Sequence, residues 1–242
     1  TMTNKNILVF KHMPSQNPGI FRDFADTQNV IFHEIDLHAG EKIPNLEKFD
    51  GLWVMGGSMN VWEEEEFPWL IEEKEAIHRA VKDLNMPFLG ICLGHQLLAE
   101  AMGGKAEKTD QHEVGLFEIE PTEKGLNHPL LYNLKGSDKW VNVHLVEVVK
   151  IPENALILAT SKKCKNHIMQ VGDYAYSCQF HPEVCGHTLE GWLNIPNIPE
   201  ALEDLVGKDG LQDFKSSMTD NLNANNAASL VLFENWCNLV FK

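Results

Sequence analysis

A strand-like segment runs into a helical pattern with no loop between them, and this junction constrains the fold most. Residues 87–91 predict a buried strand, and residues 93–102 predict a helix. Cys92 joins them and lies between Gly90 and Gly94, so the chain must reverse direction sharply at the cysteine. Glycines on both sides relieve the crowding of such a strained turn. The pattern predicts a nucleophile elbow at the carboxyl edge of a sheet.

Strands and helices alternate on the N-terminal side of this junction. Short β-prone runs at residues 6–10, 30–35 and 51–55 predict strands. Apolar residues at helical spacing over residues 69–84 predict a helix with a charged outer face. This alternation predicts an α/β fold with an open, mostly parallel central sheet and helices on both faces.

The second half of the chain is more β-like before it becomes helical again. Further strands are predicted at residues 114–120, 140–144, 155–160, 167–171 and 174–180. From about residue 187 the pattern is helical, with Pro196 and Pro199 as breaks, and this region could cover a site at the sheet edge. Because no linker or repeat interrupts the 242 residues, we expect residues 1–242 to form a single domain.

Composition excludes several classes of function. The chain has 20 Lys and Arg against 35 Asp and Glu, so a nucleic acid or an anionic membrane surface would be repelled. No apolar run approaches the roughly 20 residues of a spanning helix, and no secretion signal is visible. Five cysteines without a CxxC pair predict neither disulfides nor a metal site, and therefore a cytoplasmic location. No phosphate-binding GxxxxGK[ST] loop is present, and we expect no cofactor.

A second motif, Gln179-Phe180-His181-Pro182-Glu183, follows the last predicted strand. Alternate residues of an extended chain point the same way, so His181 and Glu183 can project from one face. A nucleophilic cysteine requires an imidazole to exchange protons and benefits from a carboxylate that orients the ring. Each motif alone has a structural alternative: a packed cysteine between glycines, or a surface turn. Together they predict a catalytic Cys-His-Glu group.

The two motifs GICLGHQ and QFHPE resemble the class I glutamine amidotransferases of the Cys-His-Glu type. The segments MGGSMNV at 55–61, PWL at 68–70 and EVG at 113–115 are similar to those of the stand-alone, GMP-synthase-like members. The resemblance extends from Ile7 to about Glu183.

This resemblance implies a role for each matched residue. Cys92 would be the nucleophile, His181 the general acid and base, and Glu183 the carboxylate that orients the ring. The backbone N–H groups of Gly57 and Leu93 would stabilise an oxyanion. Gln96, one helical turn beyond the cysteine, would help to hold the glutamyl group of the substrate, unless it is only a partly exposed helix residue.

The implied chemistry is attack on a γ-carboxamide, release of ammonia or an amine, and hydrolysis of a γ-glutamyl thioester. We expect a free-standing cysteine amidohydrolase that acts on glutamine or a γ-glutamyl amide. One alternative is an ammonia-supplying subunit that requires a separate synthetase. Another is a non-catalytic binding module, against which the intact Cys92, His181 and Glu183 argue.

One segment departs from the family pattern. Where many members carry a polar Ser-His-Gly-Asp-like run, this chain has Val143-His144-Leu145-Val146. If these residues line the pocket, aliphatic groups replace polar ones, and we expect a preference for a glutamyl derivative with an apolar substituent over free glutamine. If they do not, the β-branched residues belong to a core strand.

Overall fold

The computed structural model describes residues 3–136 and 138–242. The strands within these residues are β1 (Lys5–Lys11), β2 (Val30–Asp36), β3 (Gly51–Val54), β4 (Phe88–Ile91), β5 (Lys105–Glu118), β6 (Glu120–Pro121), β7 (Lys139–Lys150), β8 (Leu156–Thr160), β9 (Ile168–Val171) and β10 (Ala175–Cys178). The α-helices are α1 (Ile20–Phe24), α2 (Trp69–His78), α3 (Leu93–Ala101), α4 (Thr188–Leu193), α5 (Ile198–Asp220) and α6 (Leu222–Val240).

The central sheet has the strand order β2-β1-β3-β4-β10-β9-β8-β6. Neighbouring strands from β2 to β10 are parallel, and β9, β8 and β6 continue the sheet with antiparallel pairing. Strands β5 and β7 form a separate antiparallel pair. The prediction of an open, mostly parallel sheet is therefore confirmed.

Helices cover both faces of this sheet because successive side chains of each strand point to opposite sides. On β1, Ile7 belongs to the apolar cluster that contains Trp236 of α6, whereas Leu8 belongs to the cluster that contains Leu70 of α2 and Leu97 of α3. Because β1, β3, β4 and β10 are parallel, their carboxyl ends lie at one edge of the sheet, and the centre of the sheet is buried on both sides.

The β5–β7 pair is longer than the sequence predicts. Strand β5 begins at Lys105 rather than at residue 114, and β7 continues to Lys150 rather than ending at residue 144. The residues added to β5 are mostly polar and exposed, so no hydrophobic alternation indicates that extension, whereas residues 145–150 of β7 read LVEVVK and are mostly apolar. They are strands because they pair with each other, Ala106 opposite Val148 and Lys108 opposite Val146.

The C-terminal helices form a third apolar cluster outside the sheet. Trp192 of α4 and Leu202 and Phe214 of α5 pack there with Val141 of β7. Pro196 lies between α4 and α5 as expected, but Pro199 lies in the first turn of α5, where a missing N–H costs little. None of the helices in residues 3–136 and 138–242 combines the length and the apolar character needed to cross a membrane.

Candidate active site

Cys92 occupies a strained turn between β4 and α3. Its backbone has φ 53° and ψ −104°, which is unusual for a residue with a side chain. The Cys92 N–H donates to the Cys178 carbonyl at 2.9 Å, which ties the turn to the neighbouring strand. A methyl group on Gly94 would collide with the Val54 carbonyl, so the helix can start against β3 only with glycine there. The predicted nucleophile elbow is confirmed.

His181 and Glu183 follow β10 and lie beside the elbow. The Nδ1–H of His181 donates to Glu183 Oε1 at 2.6 Å, and both side chains are almost completely buried. This hydrogen bond fixes the orientation of the ring and leaves Nε2 for another partner. The imidazole ring also lies edge-on to Trp192, with the ring centroids 4.9 Å apart.

The electrostatics of His181 favour its charged form. Burial by itself lowers the pKa of the imidazole, but the charges of Glu183 and Cys92, with hydrogen bonds to both, raise it from 6.5 to about 10. An imidazolium beside the cysteine stabilises a thiolate, which is the nucleophilic form of the side chain. The three residues predicted from the two motifs thus lie together.

Gly57 and Leu93 lie next to each other on one side of the elbow. A Cβ atom on Gly57 would be 2.9 Å from Leu93 Cδ2, and Gly57 lines the same cavity as Cys92. Among the backbone hydrogen bonds of residues 3–136 and 138–242, neither amide has an acceptor. Of the two residues only Gly57 is among those that line the cavity, so the oxyanion role of both N–H groups stays a prediction.

Gln96 lines the cavity, but its amide group is already engaged. Its Nε2 donates to the Val146 carbonyl and to Gln179 Oε1, each at 3.1 Å, and the side chain is buried. Gln179 in turn donates to Cys92 Sγ at 3.5 Å. The sequence motif did not assign Gln179 a role, although it stands two residues before His181 and therefore on the same face of an extended chain.

A cavity of about 210 Å³ opens above Cys92 and His181. Its walls come from the loops after β1, β3 and β4, from β7, and from α4 and α5. The residues that line it are Met13, Gln16, Gly57, Ser58, Met59, Asn60, Cys92, Gln96, Val114, Val143, His144, Leu145, Val146, His181, Trp192, Ile195, Ile198, Ala201, Leu202 and Leu205. No Asp, Glu, Lys or Arg is among these lining residues.

The segment that departs from the family pattern lines this cavity. Val143, Leu145 and Val146 all contribute to the wall, and the Val143 carbonyl is 4.0 Å from Cys92 Sγ. The segment belongs to the β5–β7 pair rather than to the central sheet, so it is not a core strand of that sheet. Three of the four residues of this segment thus present aliphatic side chains to the cavity that contains Cys92, and His144 is the fourth.

Behind this wall, four potential metal ligands lie together: Glu113, His144, Cys164 and His167 are buried, with ligand atoms within 4.8 Å of one another. Sequence spacing does not indicate the whole cluster, because only Cys164 and His167 are close in sequence, whereas Glu113 and His144 come from β5 and β7. Glu113 Oε1 accepts hydrogen bonds from His144 at 2.9 Å and from His167 at 2.8 Å. In a tetrahedral zinc site with bonds of 2.0–2.1 Å, two ligand atoms are about 3.3 Å apart. The separations of 2.9 and 2.8 Å in this cluster are shorter and are typical of hydrogen bonds.

The hydrogen bonds account for this cluster without a metal ion. Ser161 donates to the second oxygen of Glu113 at 2.7 Å. Burial would raise the pKa of Glu113, but the hydrogen bonds from His144, His167 and Ser161 hold it well below its usual value. Cys164 is no second nucleophile, because burial raises the pKa of its thiol and the cavity does not reach it.

Comparisons with known proteins agree with this geometry. The sequence profile of the family "Glutamine amidotransferase class-I" matches residues 17–192. The chain is 32% identical over 201 residues to the glutamine amidotransferase-like protein YfeJ of Salmonella typhimurium, covering 81% of this chain and 82% of that one. It is 36% identical over 167 residues to a glutamine-hydrolyzing GMP synthase subunit of Sulfolobus acidocaldarius, covering 69% of this chain and 84% of that one.

The fold comparison covers almost the whole chain. The crystal structure of a glutamine amidotransferase from Thermotoga maritima superposes with a TM-score of 0.83 and 25% identity, over 98% of this chain and 99% of that one. The family profile covers most of the chain and two relatives are more than 30% identical to it, so the chain belongs to the class I glutamine amidotransferases.

Proposed function

We propose that this chain is a free-standing cysteine amidohydrolase that cleaves the γ-amide of glutamine or of a γ-glutamyl amide. One observation carries the proposal: Cys92 sits on a strained elbow and shares a cavity with His181, whose ring is held by Glu183. This combination of nucleophile, proton donor and orienting carboxylate suits acyl transfer through a thioester.

In the first half of the reaction, the Cys92 thiolate attacks the amide carbonyl carbon and forms a C–S bond. The electron pair of the C=O bond moves to oxygen, where the N–H groups of Gly57 and Leu93 stabilise it. When the C=O bond forms again, the C–N bond breaks. The His181 imidazolium gives its Nε2 proton to the departing nitrogen, so that ammonia or an amine leaves.

In the second half, neutral His181 takes a proton from water, and the resulting hydroxide attacks the thioester carbonyl. The same two N–H groups stabilise the second oxyanion. The C–S bond then breaks, Cys92 leaves as a thiolate, and the acid product departs. The thiolate–imidazolium pair is restored, and the sum is amide plus water giving acid plus ammonia or amine.

The walls of the cavity come from this same chain, and this favours a free-standing enzyme over an ammonia-supplying subunit. Trp192, Ile198 and Leu205 belong to the α4–α5 region of this same chain and cover the nucleophile. A site that its own chain covers needs no partner to exclude water. The similarity to the GMP synthase protein of Sulfolobus acidocaldarius supports the ammonia-supplying subunit as the second candidate function, because the name of that relative describes one subunit of a glutamine-hydrolysing synthase.

The chemistry of the cavity favours a substrate with an apolar substituent. The ammonium and carboxylate groups of the glutamyl part are the same in free glutamine and in a γ-glutamyl amide, so the walls can discriminate between the two only through the amine portion. Val143, Leu145 and Ile198 offer apolar contacts to such a portion. A γ-glutamyl amide with an apolar amine portion matches these walls better than free glutamine does.

A substrate screen of the purified chain tests the proposal. Glutamine, γ-glutamyl alkylamides and γ-glutamyl peptides are supplied in turn, and the release of ammonia or amine is measured with Cys92→Ala as the blank. Turnover by the chain alone supports the amidohydrolase. Turnover that appears only when a synthetase is added would favour the ammonia-supplying subunit, and tight binding without turnover would favour a binding module.

A further inference from the structure

A second buried pair of ionisable side chains lies behind the cavity. His12, the residue after β1, and Glu73 of α2 have no side-chain exposure. The Nε2–H of His12 donates to Glu73 Oε1 at 2.5 Å, and the Nδ1–H donates to the Gly56 carbonyl at 3.0 Å. Trp69 stacks on the imidazole at a centroid distance of 5.5 Å. The two hydrogen bonds fix the orientation of the imidazole within its plane, and the stacking with Trp69 restricts its tilt.

The Gly56 carbonyl belongs to the same peptide group as the Gly57 N–H. In a trans peptide the C=O and N–H bonds point in opposite directions. When His12 holds the carbonyl, the Gly57 N–H must point away from His12. Gly57 lines the cavity with Cys92, whereas His12 does not line it. The hydrogen bond from His12 thus turns the Gly57 N–H toward the side where the substrate would bind.

We propose that His12 and Glu73 are positioning residues that hold the Gly56–Gly57 peptide with its N–H directed at the oxyanion of the reacting amide, an inference that rests on the proposed function. His12 does not touch the substrate. It acts through Gly57, and Glu73 acts through His12. The oxyanion site is therefore already formed in the free chain and does not wait for a partner or a substrate to rotate this peptide.

The pair also strengthens the Gly57 N–H as a donor. Burial by itself would lower the pKa of His12, but Glu73 and the backbone carbonyls of Gly56 and Met55 raise it. Both ring nitrogens then carry protons, as the two hydrogen bonds require. A charged donor on the Gly56 carbonyl polarises the peptide, and hydrogen bonds in such a chain reinforce one another.

A purely structural role for the pair is the competing explanation. Two buried charges are costly to desolvate, and an apolar pair of similar size is often as stable. Stability alone thus does not require His12 and Glu73 at this place. The two explanations differ in one measurable respect: a structural pair would affect unfolding, whereas a positioning pair would affect the chemical step selectively.

Two double variants separate these explanations. In His12→Asn with Glu73→Gln, the asparagine amide can place an N–H where Nδ1–H stood, so the bond to Gly56 is kept. In His12→Leu with Glu73→Gln, a side chain of similar size has no donor. Both remove the charges, so they form a matched pair that differs in the hydrogen bond to Gly56. The single variant Glu73→Gln keeps a partner for Nε2–H and removes only the charge.

Three measurements are made on each variant with the fastest amide substrate of the screen. These are kcat and KM; the affinity for the aldehyde in which –CHO replaces the carboxamide; and the rate of Cys92 alkylation by iodoacetamide. The Cys92 thiolate forms a C–S bond with the carbonyl carbon of the aldehyde, and the electron pair of the C=O bond moves to the oxygen, which becomes the oxyanion of a hemithioacetal at the oxyanion site. Alkylation displaces iodide and creates no oxyanion.

We expect the leucine variant to lose about 10- to 100-fold in kcat, somewhat less than complete loss of one oxyanion donor. Its affinity for the aldehyde should fall by a similar factor, with KM and the alkylation rate within about three-fold of wild type. The asparagine variant should recover most of kcat, and Glu73→Gln should lie between wild type and the leucine variant.

Equal kcat values for the leucine and asparagine variants, or a parallel loss in alkylation, would overturn the inference while leaving the proposed function intact. If the leucine variant does not fold, Glu73→Gln decides: unchanged kcat and aldehyde affinity would overturn the inference. A wild-type chain that neither hydrolyses any amide nor binds the aldehydes would refute the proposed function, and the inference with it.

Discussion

The Nδ1 atom of His181 lies 2.6 Å from Oε1 of Glu183, and no other residue contributes a side-chain hydrogen bond to that carboxylate in the part of the chain that the structure describes. The second oxygen of Glu183 is buried without a hydrogen-bond partner, so among the described residues His181 is the group that stabilises the negative charge of this carboxylate. A carboxylate in this position both orients His181 and keeps it protonated.

Substitution of the two residues should therefore have unequal effects. His181→Asn removes the group that exchanges protons, and we expect a loss of several orders of magnitude in kcat/KM. Glu183→Gln keeps a hydrogen-bond acceptor for the ring and should cost less. Steady-state kinetics of both variants test this ranking. Near-normal activity of His181→Asn would transfer the role of base to another imidazole, such as His144, the other histidine among the residues that line the cavity.

The pH dependence of the reaction should report the same relationship. Because Glu183 and Cys92 raise the pKa of His181 to about 10, kcat/KM should fall as the pH rises through about 10 and the imidazolium loses its proton. Glu183→Gln removes one of the charges that raise the pKa, so the alkaline limb should move to lower pH. An alkaline limb at the same pH in both proteins would contradict this assignment.

Cys92 should be the cysteine that a substrate-like electrophile modifies first. It faces the cavity beside an imidazolium, whereas burial raises the pKa of the thiols of Cys164, Cys178 and Cys237. Mass spectrometry after brief labelling identifies the modified residue. Cys92→Ser and Cys92→Ala should abolish turnover with the fold intact, as judged by circular dichroism. Earlier labelling of Cys164 or Cys237 would refute the choice of nucleophile.

The elbow should not tolerate a side chain at Gly94. The added methyl group of Gly94→Ala would overlap the Val54 carbonyl, which belongs to a buried strand and cannot move away. We expect a loss of about 1–3 kcal/mol or more in the free energy of unfolding. Gly186→Ala is the control, because nothing lies within 4 Å of its added methyl group. Urea titration of both variants should show a change within about 0.5 kcal/mol for the control.

Substrate preference should follow the apolar walls of the cavity. Each methylene of an N-alkyl γ-glutamyl amide that fits the walls should stabilise the transition state by roughly 1–3 kcal/mol and so raise kcat/KM above the value for free glutamine. Leu205→Ala should reduce this preference, since Leu205 lines the cavity from α5. Glu203→Ala, an exposed change on the same helix, should leave it unchanged. A clear preference of the wild-type chain for free glutamine would refute the prediction.

The sequence by itself determined the features that depend on neighbouring residues. Gly90, Cys92 and Gly94 predict the elbow because a sharp strand-to-helix turn has few steric solutions, all of them local. His181 and Glu183 are two residues apart, and the alternation of an extended chain brings them to one side. The alternating strands and helices likewise indicated the parallel sheet, since only a few connections are possible between such elements.

Tertiary structure alone decided what surrounds these residues. His12 and Glu73 are separated by 61 residues, and Glu113 and His167 by 54, so no spacing in the sequence indicates either pair. The covering of the cavity by α4 and α5 depends on how an apolar cluster packs against β7, and packing depends on shape rather than on pattern. Local sterics thus specify the Cys92 elbow and the pairing of His181 with Glu183, whereas long-range packing specifies the cavity walls and the hydrogen bond from His12 to Gly56.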